Sequence, residues 1–318
     1  MAGKGIYYES QFEEATIELL REAHWQYTFG DDIHRKYTDP LIEEDLRNFL
    51  AAQYKDRDLT TSEIDGIVAN LRNTGGQNDY YALRNAFLLY RDGYDFAYSD
   101  GRDNPFRLEY IDFEHPDHNI FRCVNQFVME QGRENRRPDI LLFVNGIPVC
   151  IIELKNPTKQ NATIRDAHTQ ICTRYMRDIP ALLKYCALAV ISDGAKNALG
   201  TIYTPFEFFY EWKKIENEDK AGKGLDTLRT LIRGALSPER ILEILRDYVY
   251  FPDPTKEDDT TEIVCRYPQF FATRKLRDHI LNHLRSVGGD GKGGTYFGAT
   301  GCGKTYTCLL YTSPSPRD

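Results

Sequence analysis

Residues 136–157 read RRPDILLFVNGIPVCIIELKNP, with two apolar runs, Ile140–Val144 and Ile147–Leu154, on either side of Asn145-Gly146. Asn-Gly is the strongest short-range hairpin signal, because both residues tolerate positive φ. The arms are too continuously apolar to be half-solvated and are expected to be central strands covered on both faces. Three ionisable residues interrupt them: Asp139 where the first arm begins, Glu153 and Lys155 where the second ends. Burying such groups beside a sheet is costly unless they bind a metal or each other. Glu153 and Lys155 share one face, because side chains alternate along a strand. Two carboxylates and a lysine at a sheet rim suit Mg²⁺-dependent phosphodiester hydrolysis. The carboxylates hold the hard cation, and the lysine orients or activates water and offsets phosphate charge. The other reading is a surface ion pair of Glu153 with Lys155 or Arg137, worth little to stability.

Register adds a condition. A two-residue turn pairs Val144 with Ile147 and sets Asp139 opposite Ile152, which points Glu153 to the other face. A shared cation therefore requires a three-residue loop or a β-bulge, with the carboxylates roughly 4–6 Å apart.

The Pro138-Asp139…Glu153-x-Lys155 pattern on this hairpin resembles the PD-(D/E)xK nuclease superfamily. That resemblance implies a central mixed sheet flanked by helices, with Asp139 and Glu153 on Mg²⁺ and Lys155 assisting the attacking water. It also implies a further acid on the first helix, for which Glu13 is the candidate. Ser10-x-x-Glu13 equally reads as a capping box, which gives Glu13 a structural task at a helix start.

Composition is that of an ordinary globular chain, and no apolar run approaches membrane-spanning length. The polar N-terminus lacks a signal-peptide core, so the expected location is cytoplasmic, with no membrane partner. The seven cysteines form no CxxC pair and read as buried free thiols; His115-x-x-His118 has no second ligand pair and is not expected to hold zinc. The net charge of −8 is uneven. Residues 1–120 carry 12 basic and 24 acidic side chains, and residues 121–180 carry 9 and 6. A polyanion would be drawn to the hairpin region, although a solvated surface could show the same imbalance.

Outward from the hairpin, helices are expected over 10–23, 41–54, 61–72 (capped by Ser62) and 80–91, with Trp25 and Tyr27 as core anchors. Strands are expected at 106–113 and 120–130. A basic helix at 163–178 and a buried strand at 185–192 follow, giving the strand, hairpin, helix, strand order of an α/β core. Ser237-Pro238 starts another helix. Residues 251–262, with two prolines and four acids in the first eleven, read as a linker. A helix at 266–287 leads to Gly298-Ala-Thr300-Gly301-Cys302-Gly303-Lys304-Thr305, a full P-loop pattern. Its backbone N–H groups would wrap a phosphate, Lys304 would reach the terminal phosphates, and Thr305 would ligand Mg²⁺. Gln269 either reads an adenine edge or packs polar surface.

A nuclease-like hairpin ahead of a P-loop resembles the restriction (R) subunit of type I restriction-modification enzymes. The closest stretches are Asn119 with Asn125-Gln126-Phe127, residues 136–157, DIPALLKYCALAVISDG at 178–194, and FGATGCGKT. The resemblance implies a nuclease domain over 1–250, a linker at 251–262 and the start of a RecA-like motor over 263–318. It implies ATP-driven translocation and cleavage of double-stranded DNA, in complex with methyltransferase and specificity subunits. The family's Q-x-x-x-Y element is matched here by Gln170 and Tyr175, which are five apart rather than four. On an ideal helix that turns them roughly 140° off one face, so either a helix bulge restores the pair or only one residue contacts the site. Only thirteen residues follow Thr305, and Pro314 and Pro316 would break the helix. The sequence therefore reads as cut off, its tail as foreign, and no ATP turnover is expected from this stretch alone. Two readings from other classes are a catalytically silent DNA-binding or assembly module feeding a P-loop motor, and an NTPase whose N-terminal region only recruits partners.

Overall fold

The computed structural model describes residues 4–98, 101, 105–155, 163–216, 222–252, 260–292, 297 and 303. Its centre is a six-stranded mixed sheet whose strands lie in chain order: Gln26–Phe29, Phe121–Asn125, Ile140–Val144, Ile147–Leu154, Leu188–Ser192 and Asn197–Gly200. The first pair is parallel, the next two pairs antiparallel, the fourth parallel and the last antiparallel. The second of the two parallel pairs, Ile147–Leu154 with Leu188–Ser192, needs a crossover, and residues 164–183 supply it in helical form. Every residue of both hairpin strands is buried, which explains their continuous apolar run. The one charge inside them is Glu153.

The hairpin turn has two residues, Asn145 at φ 50° and Gly146 at φ 76°. Val144 faces Ile147 and Phe143 faces Pro148, but Leu142 then faces Cys150. Val149 is the extra residue of a β-bulge. Pro148, which cannot donate to a ladder, lies beside it, as prolines inside sheets do. Beyond the bulge Ile140 faces Ile152, so the same register carries Asp139 opposite Glu153.

Several local expectations need correction. The first helix runs from Lys4 to Glu22, so Ser10 and Glu13 lie inside it and form no capping box; nothing in Gly5–Glu9 breaks the helix before them. The third is capped by Thr60 with Glu63 rather than by Ser62. The stretch 106–113 contributes only Phe106–Leu108, paired with Tyr94–Phe96 outside the main sheet. The stretch 120–130 breaks at Gln126, whose φ is 54°. Trp25 is buried and donates from Nε1 to the Leu236 carbonyl at 2.7 Å, whereas Tyr27 is 40% exposed. Ser237 precedes the Pro238–Asp247 helix without a side-chain cap bond. No helix among the described residues is long and apolar enough to cross a membrane.

Around 251–262, Val249–Tyr250 pair with Ile263–Val264. Glu262 is 3% exposed, and neither carboxyl oxygen has a hydrogen-bond partner among the described residues. Thr201 Oγ1 donates instead to the Glu262 backbone carbonyl at 3.3 Å. Burial pushes this carboxyl well above the usual range. A raised folded-state pKa means stability that is full below the unfolded value and lost as pH rises through the folded one. Glu262→Met is therefore expected to flatten the decline of Tm between pH 5 and 9 and to stabilise the chain at pH 8 by about 1–3 kcal/mol. A lower Tm for the variant at pH 8 would show that the carboxylate has a compensating partner.

Candidate active site

The bulge and a helical irregularity together build one polar cluster at the end of the sheet. Asp139 precedes its strand and is tied to the hairpin partner, with Leu154 N–H donating to Oδ2 at 2.7 Å. The Asp139 carbonyl accepts from Gln126 N–H at 3.2 Å. Glu153, 1% exposed, accepts from Lys155 Nζ at 2.7 Å on Oε1 and from Tyr175 OH at 3.2 Å on Oε2. Lys155 Nζ also donates to Gln170 Oε1 at 2.7 Å, and Gln170 Nε2 donates to Tyr175 OH at 2.7 Å. Glu153, Lys155, Gln170 and Tyr175 thus close a ring of four hydrogen bonds.

That ring depends on the helix between the two parallel strands. Ile164–Thr169 is α-helical, but Gln170–Tyr175 is a π-helical turn before Met176–Asp178 resumes the α form. A π turn bonds i to i+5, which brings residues five apart onto one side. The Gln170–Tyr175 spacing, out of phase on an ideal helix, is therefore in phase here.

Electrostatics favour a cation. Burial first, then the Glu153 carboxylate, push the Asp139 carboxyl well above its ordinary range. Burial also raises Glu153, against the pull of Lys155, of Tyr175 and of a hydrogen bond to Asp139. Two like unit charges about 4 Å apart repel by about 4 kcal/mol at an effective dielectric near 20. Lys155 is one positive charge facing two negative ones, so the pair must either keep a proton or take a divalent ion. Two acidic oxygen donors short of positive charge fit a hard cation such as Mg²⁺. Burial raises the Tyr175 phenol as well, so it stays a neutral donor.

Glu13 lies near enough to add to the push on the Asp139 carboxyl. Its Oε1 accepts from Asn125 Nδ2 at 2.8 Å and from Gln126 Nε2 at 2.9 Å, and Tyr27 OH donates to Asn125 Oδ1 at 3.0 Å. Among the described residues, the one trio of His, Cys, Asp or Glu with all ligand atoms within 4.8 Å of one another lies elsewhere. Asn125 and Gln126, neither of them a candidate site residue from sequence, are what the Glu13 carboxylate is bonded to. Their signal in the sequence was the family-like stretch Asn125-Gln126-Phe127, and the left-handed backbone at Gln126, φ 54°, came only with the structure.

Removing the Tyr175 hydroxyl tests the ring. Tyr175→Phe leaves Gln170 Nε2 and Glu153 Oε2 each short of one partner and is expected to cost about 1–3 kcal/mol of stability. An unchanged Tm would mean that water replaces the phenol without loss.

Of the P-loop residues, Gly298, Thr300, Gly301, Cys302, Lys304 and Thr305 lie outside the described residues. Gly303 is described and has φ 80°. Gln269, buried near the start of the Tyr267–His283 helix, accepts from Arg266 N–H at 2.8 Å and donates to the Gly303 carbonyl at 3.2 Å.

Residues 6–208 match the family model described as type I restriction enzyme R protein N terminus. The chain is 28% identical over 315 residues to the type I restriction enzyme HindI endonuclease subunit of Haemophilus influenzae, covering 95% of this chain and 29% of that protein. It is 28% identical over 202 residues to the EcoprrI endonuclease subunit of Escherichia coli, covering 61% of this chain and 59% of that protein. It is 23% identical over 273 residues to the SsaAORF53P endonuclease subunit of Staphylococcus saprophyticus, covering 83% of this chain and 26% of that protein. The chain thus spans under a third of the length of the HindI relative.

Proposed function

Because this chain belongs to the family of type I restriction enzyme R proteins, matching the N-terminal model, we propose that it carries the Mg²⁺-dependent nuclease site of an ATP-dependent type I restriction enzyme. The observation that carries this reading is the bulged register, which sets Asp139 across from Glu153 beside Lys155. Asp139 and Glu153 would hold the ion. Mg²⁺ bound there supplies Lewis-acid polarisation of a phosphate and a water of lowered pKa. Glu153 and Gln170 fix the Lys155 ammonium, which offsets charge developing on the phosphoryl oxygens and holds a proton beside the attacking water. Gln170 and Tyr175 lock Glu153 in one rotamer, and Asn125 and Gln126 hold Glu13.

The substrate is double-stranded DNA, and the partners are the methyltransferase and specificity subunits. The domain division is the one read from sequence, with a nuclease over 1–250, a linker at 251–262 and a motor beginning at 263. In that motor Gly298–Thr305 would bind ATP, Lys304 reaching the terminal phosphates and Thr305 the associated Mg²⁺. Gln269 would buttress the loop through Gly303.

The discriminating experiment is cleavage of supercoiled plasmid with Mg²⁺, comparing wild type with Asp139→Ala, each alone and assembled with the partner subunits. Cleavage lost in the variant, with DNA retention unchanged, is expected. DNA retention by both proteins with cleavage by neither would leave a silent binding module.

A further inference from the structure

The far end of the hairpin carries a second donor set that the nuclease reading does not use. We propose that Asp112, His115 and His118 form a binding site for a divalent transition metal of the zinc class, separate from the carboxylate pair at the other end of the same strands. His115-x-x-His118 has no second histidine pair to complete a site; the third donor is instead the Asp112 carboxylate, three residues upstream of His115.

The spacing D-x-x-H-x-x-H is matched to its backbone. Residues 116–118 are a 3₁₀ turn, and side chains three apart eclipse one another in that geometry. The imidazoles stack with centroids 4.9 Å apart and planes 23° apart. Both turn Nδ1 toward the same carboxylate oxygen, Asp112 Oδ2, at 3.0 Å from His118 and 3.4 Å from His115. Ligands around a tetrahedral zinc with bonds near 2.0–2.1 Å are about 3.3 Å apart, so these separations already suit one ion. One ligand atom from each of the three residues lies within 4.8 Å of the other two.

The carboxylate is also preorganised. Asp112 Oδ1 accepts from the backbone N–H of Glu114 at 3.0 Å and of His115 at 2.9 Å, while Gln53 Nε2 donates to Oδ2 at 3.1 Å. Such outer partners orient metal ligands. Asp112 is buried, but the His115 and His118 side chains are 60% and 50% exposed, leaving an open approach and a position for water. Two imidazoles and one carboxylate select zinc-class ions over Mg²⁺.

The site is wired to the hairpin turn. Asn119 Oδ1 accepts from Asp112 N–H at 2.9 Å and from Asn145 Nδ2 at 2.8 Å. An ion fixing the 112–118 turn would therefore brace Asn145-Gly146, a structural role at the opposite end from the chemistry.

The test is zinc titration of the tag-free, chelator-stripped 318-residue chain. One equivalent is expected to bind saturably, shift the ring resonances of two of the seven histidines, and raise Tm by about 4 °C at roughly 100 times Kd. Mg²⁺ should produce neither effect. His115→Ala and His118→Ala should each weaken zinc binding at least tenfold, while Asp139→Asn should leave it unchanged. No saturable binding, binding that survives the double histidine variant, or binding lost in Asp139→Asn would overturn the proposal.

Discussion

Lys155→Ala is expected to lower Mg²⁺-dependent cleavage of DNA about 10³-fold or more while leaving a cooperatively folded chain. The ammonium is held by Glu153 and Gln170 at 2.7 Å each and is largely shielded from water. On the proposed chemistry its removal takes away both the positive charge facing the phosphate and the group that handles the proton of the attacking water, each worth orders of magnitude. Breaking a buried ion pair ordinarily costs about 3–5 kcal/mol. Here burial already raises the Glu153 carboxyl, so the orphaned acid takes up a proton instead of remaining a bare buried charge. The loss of stability should then be about 1–2 kcal/mol. Lys155→Arg should not restore activity, because a planar fork does not replace a compact ammonium. Cleavage spared beside a large fall in Tm would make the lysine a structural residue and remove it from the proposed chemistry.

Gly146→Ala is expected to destabilise the chain by about 2–5 kcal/mol, the sum of a left-handed backbone penalty and overpacking against rigid neighbours. Gly146 has φ 76°, and a Cβ there would lie 2.1 Å from the Ile42 carbonyl oxygen and 3.2 Å from Leu46 N. Both contacts are backbone. Ile42 N–H also donates to the Gly146 carbonyl at 2.9 Å, just ahead of the Glu43–Gln53 helix. No rotamer change can relieve the clash, so either the helix start or the turn must move. Thermal unfolding should show a Tm lower by about 3–7 °C. A Tm within about 2 °C of wild type would mean that the turn is free to shift, and that it does not anchor the sheet to the helix.

Asn145 explains why this turn tolerates so little. Fully buried at φ 50°, its side chain accepts from Ile120 N–H at 2.7 Å and donates to the Tyr110 carbonyl at 3.0 Å and to Asn119. The hairpin tip is thus an interior feature, although Asn-Gly tips are read from sequence as surface turns.

Local chemistry was enough for the hairpin. Continuous apolar runs specify strands buried on both faces, Asn-Gly specifies a two-residue turn, and strand alternation places Glu153 and Lys155 together. Those statements involve only neighbouring residues, and the sequence alone determined them, with Asp139 at the strand end. Tertiary structure decided the rest. The bulge at Val149 brings Asp139 opposite Glu153. Pro148 hints at it, but register is settled only by packing both strands against the sheet's neighbours. The π turn at Gln170–Tyr175 costs helix regularity that no local preference supplies, and the bonds from Gln170 to Lys155 and from Tyr175 to Glu153 accompany it. Glu13 reads locally as a cap because Ser10 precedes it. Its partners, Asn125 and Gln126, are more than a hundred residues away, a distance over which sequence pattern carries no phase.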